Sequence, residues 1–203
     1  MKASSSTTRT PRASAAVGKV SVSELPDQGH FALFALPLRF RLDEAALGAA
    51  WRALQAQFHP DRAAHLSAVE QRRALQWATR INEAYNVLRD PLARAAHLLE
   101  LNGAPVDLER NVGADAEFLA QQMQWREALE DARSDANALA ALAREVENAA
   151  REQQDALARA CDDQQDYAAA AQWLRRLHFT ERIRAEIARF SSHRMTDGTA
   201  ANC

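Results

Sequence analysis

The chain has 203 residues, 47% of them hydrophobic and 26% charged, with a formal net charge of −2. That length and apolar share suffice for one or two domains, each with a core of its own. A charge so near zero gives no long-range attraction to nucleic acid or anionic lipid, so neither is expected as a partner.

Much of the apolar share is alanine, and glycine and proline number only 6 each, a balance that favours helix throughout. The two cysteines, Cys161 and Cys203, are far apart and match no zinc spacing and no disulfide framework, which fits a reducing compartment. Residues 1–27 are rich in Ser, Thr and Ala, carry Lys2, Arg9, Arg12 and Lys19, and hold no acidic residue before Glu24. Lacking large apolar residues at helical spacing, this segment is expected to be a disordered tail. It has no apolar stretch of the secretory type, and no later stretch is long and apolar enough to span a bilayer, so no membrane partner is expected. A cytoplasmic site of action follows. The mitochondrial matrix is the alternative, because a basic, Ser-rich, acid-poor start also fits a transit peptide.

Beyond the tail, "HFALFAL" reads as a short apolar turn or helix closed by Pro37. Asp43 is placed to cap a helix whose Leu47, Trp51, Leu54 and Phe58 form one apolar stripe, and Pro60 ends it by removing an amide donor. Ser67 and Glu70 have the spacing of a capping box and open a second long helix with Leu75, Ala78, Ile81, Tyr85 and Leu88 on one face. Two such stripes with a short connection predict an antiparallel hairpin. Asp90 and Pro91 restart a helix that ends at Asn102-Gly103. Three more amphipathic segments follow, at about 115–133, 135–161 and 167–190, and predict an up-down three-helix bundle. The fold class is therefore all-α, with a helical hairpin domain over 28–106, a bundle over 107–191 and a second disordered tail over 192–203.

The stretch "AQFHPDR", residues 56–62, interrupts an otherwise regular pattern with His59, Pro60 and Asp61. A metal site, an acid–base dyad and a rigid corner that offers polar groups to a partner would each use these residue types. The six histidines form no HxxxH or HExxH pair, and there is no GxSxG elbow and no glycine-rich phosphate loop. No catalytic residue, metal or cofactor is therefore expected, and the enzyme reading rests on an isolated His–Asp pair alone. A position between two helices of a hairpin is where a binding loop belongs.

At this point the stretch resembles the J-domain of Hsp70 co-chaperones, whose His-Pro-Asp loop joins two long helices. "HFALFALPLRFRLDEAAL" and "INEAYNVLRDPLARAAHLLELNG" are similar to the opening and the signature of the HscB family, the J-type co-chaperones of iron–sulfur cluster assembly. "DAEFLAQQMQWREAL" and "LRRLHFTERI" resemble the first and last helices of that family's C-terminal bundle. The resemblance covers roughly residues 30–190. It implies two partners, an Hsp70-type chaperone specialised for iron–sulfur assembly and an iron–sulfur scaffold protein. The chain would carry the scaffold to the chaperone and stimulate its ATPase, promoting cluster transfer.

By position, the Hsp70-binding residues fall on His59, Pro60 and Asp61, with Arg52 and Arg62 beside them. The scaffold-binding residues fall on Phe118, Leu119, Met123, Gln124, Glu127 and Phe179. Three large apolar residues at 118, 119 and 123 cannot all face one seam, which independently predicts some exposed apolar surface. Ala120 and Gln124 are departures from the family pattern and imply a smaller, less charged patch, while His97 stands where a tyrosine is usual. The helix before the loop is poor in base, so Arg39 and Arg41 are expected to share the cationic role with Arg52 and Arg62. The alternative is a general J-domain co-chaperone with a different client.

Overall fold

The structure is a computed structural model that describes residues 29–58, 67–108 and 116–200, the side chains of Ser134 and residues 193–200 excepted. His59, Pro60, Asp61 and Arg62, and the tail through residue 27, lie outside the described residues. The elements are α1 (Gly29–Leu33), α2 (Glu44–Gln57), α3 (Ala68–Arg89), α4 (Pro91–Leu101), α5 (Ala116–Asp131), a 3-10 turn (Ala132–Ser134), α6 (Ala136–Ala158), a π turn (Arg159–Gln164) and α7 (Tyr167–Ala200). Among the described residues there is no strand, and the chain is all-α.

The caps read in the sequence form as expected. The Asp43 carboxylate accepts the Ala46 amide at 3.0 Å. Ser67 and Glu70 make the reciprocal capping box, and hydrogen bonding from Ser67 holds the Glu70 carboxyl below its ordinary range. Asp90 accepts the Ala93 amide at 2.8 Å with Pro91 at the first position of α4. The left-handed Gly103 (φ +73°) closes α4, and the Ala104 amide reaches back to the Leu99 carbonyl at 2.9 Å.

Helices α2 and α3 are antiparallel. Trp51 stacks on Tyr85 with ring centroids 4.8 Å apart, and its indole N–H donates to Asn82 at 3.1 Å. One end of the pair is closed by Phe58 against Trp77 at 6.0 Å. The buried stripe of α3 is Ile81, Ala84 and Leu88 with Trp77 partly covered, not the expected face through Leu75, which is 61% exposed. A step of 75 to 78 to 81 turns away from the seam, whereas 77, 81, 84 and 88 keep the three- and four-residue spacing of one face.

Two apolar cores run the length of the molecule. The first contains Phe31, Phe34, Phe40, Leu47, Leu54, Phe58, Ile81, Leu88 and Leu99 together with Leu157, Cys161, Leu174 and Leu177. It thus draws on both sides of the boundary expected at 107. The second lies at the far end of the bundle around Trp125, Leu129, Leu142, Val146, Ile183 and Ile187. Helix α7 lines both. It also runs to Ala200, past the boundary drawn at 191. Once a helix is nucleated each added residue brings its own hydrogen bond, so extension by a polar turn costs little.

Candidate functional site

The first surface is the loop end of the α2–α3 hairpin. Of the residues assigned to it, only Arg52 is among the described ones; it is exposed, and one guanidinium nitrogen would lie 3.4 Å from a Cβ added at Gly48. Arg39 is exposed as well. The Arg41 guanidinium, which was expected to share the cationic role, reaches both Asp163 carboxylate oxygens, at 3.0 and 3.1 Å. It belongs to the contact between the two halves of the chain. Among the described residues no group of three His, Cys, Asp or Glu side chains is arranged to hold a metal. Burial, with Asp162 beside it, pushes the Cys161 thiol up to about 12, so it stays protonated and unreactive near neutral pH.

The second surface is on α5. Leu119 and Met123 stand one turn apart and are 43% and 64% exposed, with Ala120, Gln124 and Glu127 exposed beside them. Phe118 behaves differently. It is 4% exposed and meets the half-buried Phe179 of α7 edge to face, centroids 5.8 Å apart. Phe118 is therefore the floor of the patch and not a contact residue, a correction that follows from its place on the inward face with Gln122, Trp125 and Leu129. Phe179 bridges floor and rim. Arg126 lies 5.9 Å over the Phe179 ring and Arg176 5.3 Å over the Phe118 ring, so an exposed apolar pair is bordered by two cations. Sequence reasoning missed both arginines. Their helical spacing from Phe118 and Phe179 was the available signal, but arginines at such spacings are common. The indole of Trp125 donates to Glu145 at 2.8 Å, which ties α5 to α6 behind the patch.

A third feature is the seat of α1. The His30 backbone N–H donates to His97 Nε2 at 3.1 Å, and the two rings lie 4.2 Å apart. Gly29 is left-handed, and a Cβ there would come within 2.9 Å of Leu101 and 3.1 Å of His97, so α1 approaches α4 too closely for a side chain. Burial pushes both imidazoles below their ordinary value; proximity to His97 and Arg80 adds to this for His30, while Glu83 and Glu100 oppose it. The folded state therefore favours neutral rings. The associated stability is present above the unfolded value of about 6.5 and is lost as pH falls through the folded values. His97→Tyr should make the melting temperature fall less steeply on acidification below about pH 6.5. An unchanged slope in a thermal melt series would show that this pair does not carry the effect.

The chain resembles known proteins over most of its described length. A family model described as the HSCB C-terminal oligomerisation domain matches residues 114–188, which include the whole α5 patch and Phe179. A protein named co-chaperone protein HscB homolog from Azoarcus sp. (strain BH72) is 50% identical over 162 residues, 79% of this chain and 92% of its own. One of the same name from Bordetella petrii is 50% identical over 159 residues, 78% of this chain and 94% of its own. Among solved structures, chaperone HscB from Vibrio cholerae is similar with a TM-score of 0.72 and 36% identity, covering 81% of this chain and 98% of that one. Human co-chaperone HscB gives a TM-score of 0.75 at 29% identity, covering 80% and 82%.

Proposed function

Since the chain belongs to the HscB family of co-chaperones, we propose that it binds the iron–sulfur cluster assembly scaffold and delivers it to a dedicated Hsp70. It stimulates that chaperone's ATPase and so promotes cluster transfer and the maturation of iron–sulfur proteins. The observation that carries this reading is the exposed Leu119–Met123 pair on α5, at the positions where the family resemblance puts scaffold contacts. An apolar anchor bordered by Arg126 and Arg176 and by the exposed Glu127 suits a folded protein partner better than a small ligand. The Hsp70 role is assigned to His59, Pro60 and Asp61, which come next in sequence after Phe58, the C-cap of α2, with Arg52 and Arg62 adding positive charge. In this reading the chain supplies contacts and geometry, the hydrolysis is the chaperone's, and the site of action is the cytoplasm.

The test is a chaperone ATPase assay with scaffold alone, co-chaperone alone and both together. The expected result is modest stimulation by the chain alone and a larger, synergistic stimulation with scaffold. Asp61→Asn should return the rate to that of the chaperone alone, while helicity and melting temperature stay nearly unchanged, as expected if Asp61 acts as a contact and supports no core. Full stimulation by Asp61→Asn rejects the Hsp70 assignment. Stimulation without scaffold binding, in a pull-down or by calorimetry, points instead to a general J-domain co-chaperone with another client.

A further inference from the structure

The two halves of the chain meet through a buried carboxylate. Asp162 lies in the π turn between α6 and α7. That side chain is 3% exposed. One carboxylate oxygen accepts the Phe40 amide at 2.6 Å and the other accepts the Arg41 amide at 2.8 Å. Asp163 holds the Arg41 guanidinium on the solvent side. The buried Arg94 guanidinium sits 5.1 Å over the Phe40 ring and donates to the Leu88 carbonyl at 2.7 Å. Phe40 and Arg41 belong to the short segment that leads into α2 at its cap, Asp43.

Among the described residues the halves also share apolar contacts, among them Leu157, Leu174 and Leu177 in the same core as the hairpin, and Arg41 lies 3.9 Å from Asp162. Packing of these side chains limits the angle between the halves, but the hydrophobic effect itself is non-directional. Two short charge-assisted bonds to consecutive amides have a defined direction.

We propose that Asp162 is a positioning residue: its carboxylate sets the orientation of α2, and with it the Hsp70-facing end of the hairpin, relative to the scaffold-facing helix α5. The functional half of this statement rests on the reading under Proposed function; the geometric half does not. If the orientation is fixed, scaffold and chaperone bound to one chain are held in one mutual arrangement, and the synergy between them requires Asp162 although neither partner touches it.

Asp162→Asn keeps the shape of the side chain but sets an NH2 group against one of the two amide donors. Loss of one charge-assisted bond lowers the population of the native orientation about tenfold relative to others. Spin labels at Ala49→Cys on α2 and Ala141→Cys on α6, both exposed, report the angle when placed in a Cys203→Ser background. The native Cys161 is buried and its thiol is raised to about 12, so it does not take label.

The expected result is one narrow distance distribution in the parent, a broadened or shifted one in Asp162→Asn, and a narrow one in Arg41→Ala, which removes the guanidinium pairs to Asp163 at 3.0 Å and to Asp162 at 3.9 Å but keeps both backbone bonds to the Asp162 carboxylate. In the ATPase assay, Asp162→Asn should keep scaffold binding and basal stimulation within about twofold while losing most of the synergy. A narrow, unshifted distribution in Asp162→Asn overturns the proposal. Should that variant fail to fold, amide exchange in the parent decides: the Phe40 and Arg41 amides must exchange as slowly as the helical core, and fast exchange at both overturns it. Absence of any scaffold effect in the parent would reject the functional reading and leave the distance measurement valid.

Discussion

Replacing Leu119 and Met123 together by alanine should weaken scaffold binding about a hundredfold or more while the protein melts almost as before. Each truncation removes about 1–3 kcal/mol of anchor contact, and the two together give that factor. The melting temperature is insensitive because both side chains are exposed, at 43% and 64%, and support no core. Adding Phe179→Ala should deepen the binding defect and also lower stability, since that ring is half-buried against Phe118. Basal ATPase stimulation should survive in all these variants, as the loop at 59–61 lies on the other half of the chain. Titration of scaffold by calorimetry, with circular dichroism alongside, separates the outcomes. Normal binding by the double variant places the scaffold elsewhere; loss of helicity in it makes these residues part of the core.

The second large effect concerns Leu174, which is fully buried where α7 passes the hairpin core. Leu174→Ala leaves a cavity and should cost about 3–4 kcal/mol, roughly 10 °C in melting temperature for a chain of this size. Both halves should lose that stability together. Fluorescence from Trp77 in the hairpin and from Trp125 in the bundle should then report coincident unfolding midpoints, each measured with the other tryptophans replaced by phenylalanine. Separate midpoints, with Trp77 unaffected, would mean that the hairpin does not depend on α7.

The parts of this fold that were legible in the sequence are those set by local chemistry. Asp43, the Ser67–Glu70 box and the Asp90-Pro91 start each place a helix end within a residue of where it lies, because a cap is satisfied by amides two or three positions away. The exposed apolar pair on α5 was legible for a similar reason, since too many large side chains fall within six positions to share one seam. What was not legible depends on partners distant in sequence. Leu75 looks as apolar as Ile81, and only the line that α1 and α2 take across α3 decides which of them is covered. Phe118 turns inward because Phe179 waits on α7. Asp162 reads as one acid among several near a helix end, yet it bonds amides 121 and 122 positions away. No periodicity encodes such a contact.

The same long reach governs how the chain is born. The hairpin leaves the ribosome first, but Leu174 and Leu177, which complete its core, are made only after α6 and the π turn have been. Until then the core that Leu88 and Leu99 share with Leu174 and Leu177 is incomplete, and closing a loop of that length carries an entropic cost. If the unfolding midpoints coincide as expected, the hairpin core is complete only once the last helix has emerged. A product cut short before α7 keeps its caps and its local helices but exposes the apolar floor that α7 would have covered. Such a fragment is marked for holding chaperones and proteases by the surface it cannot hide.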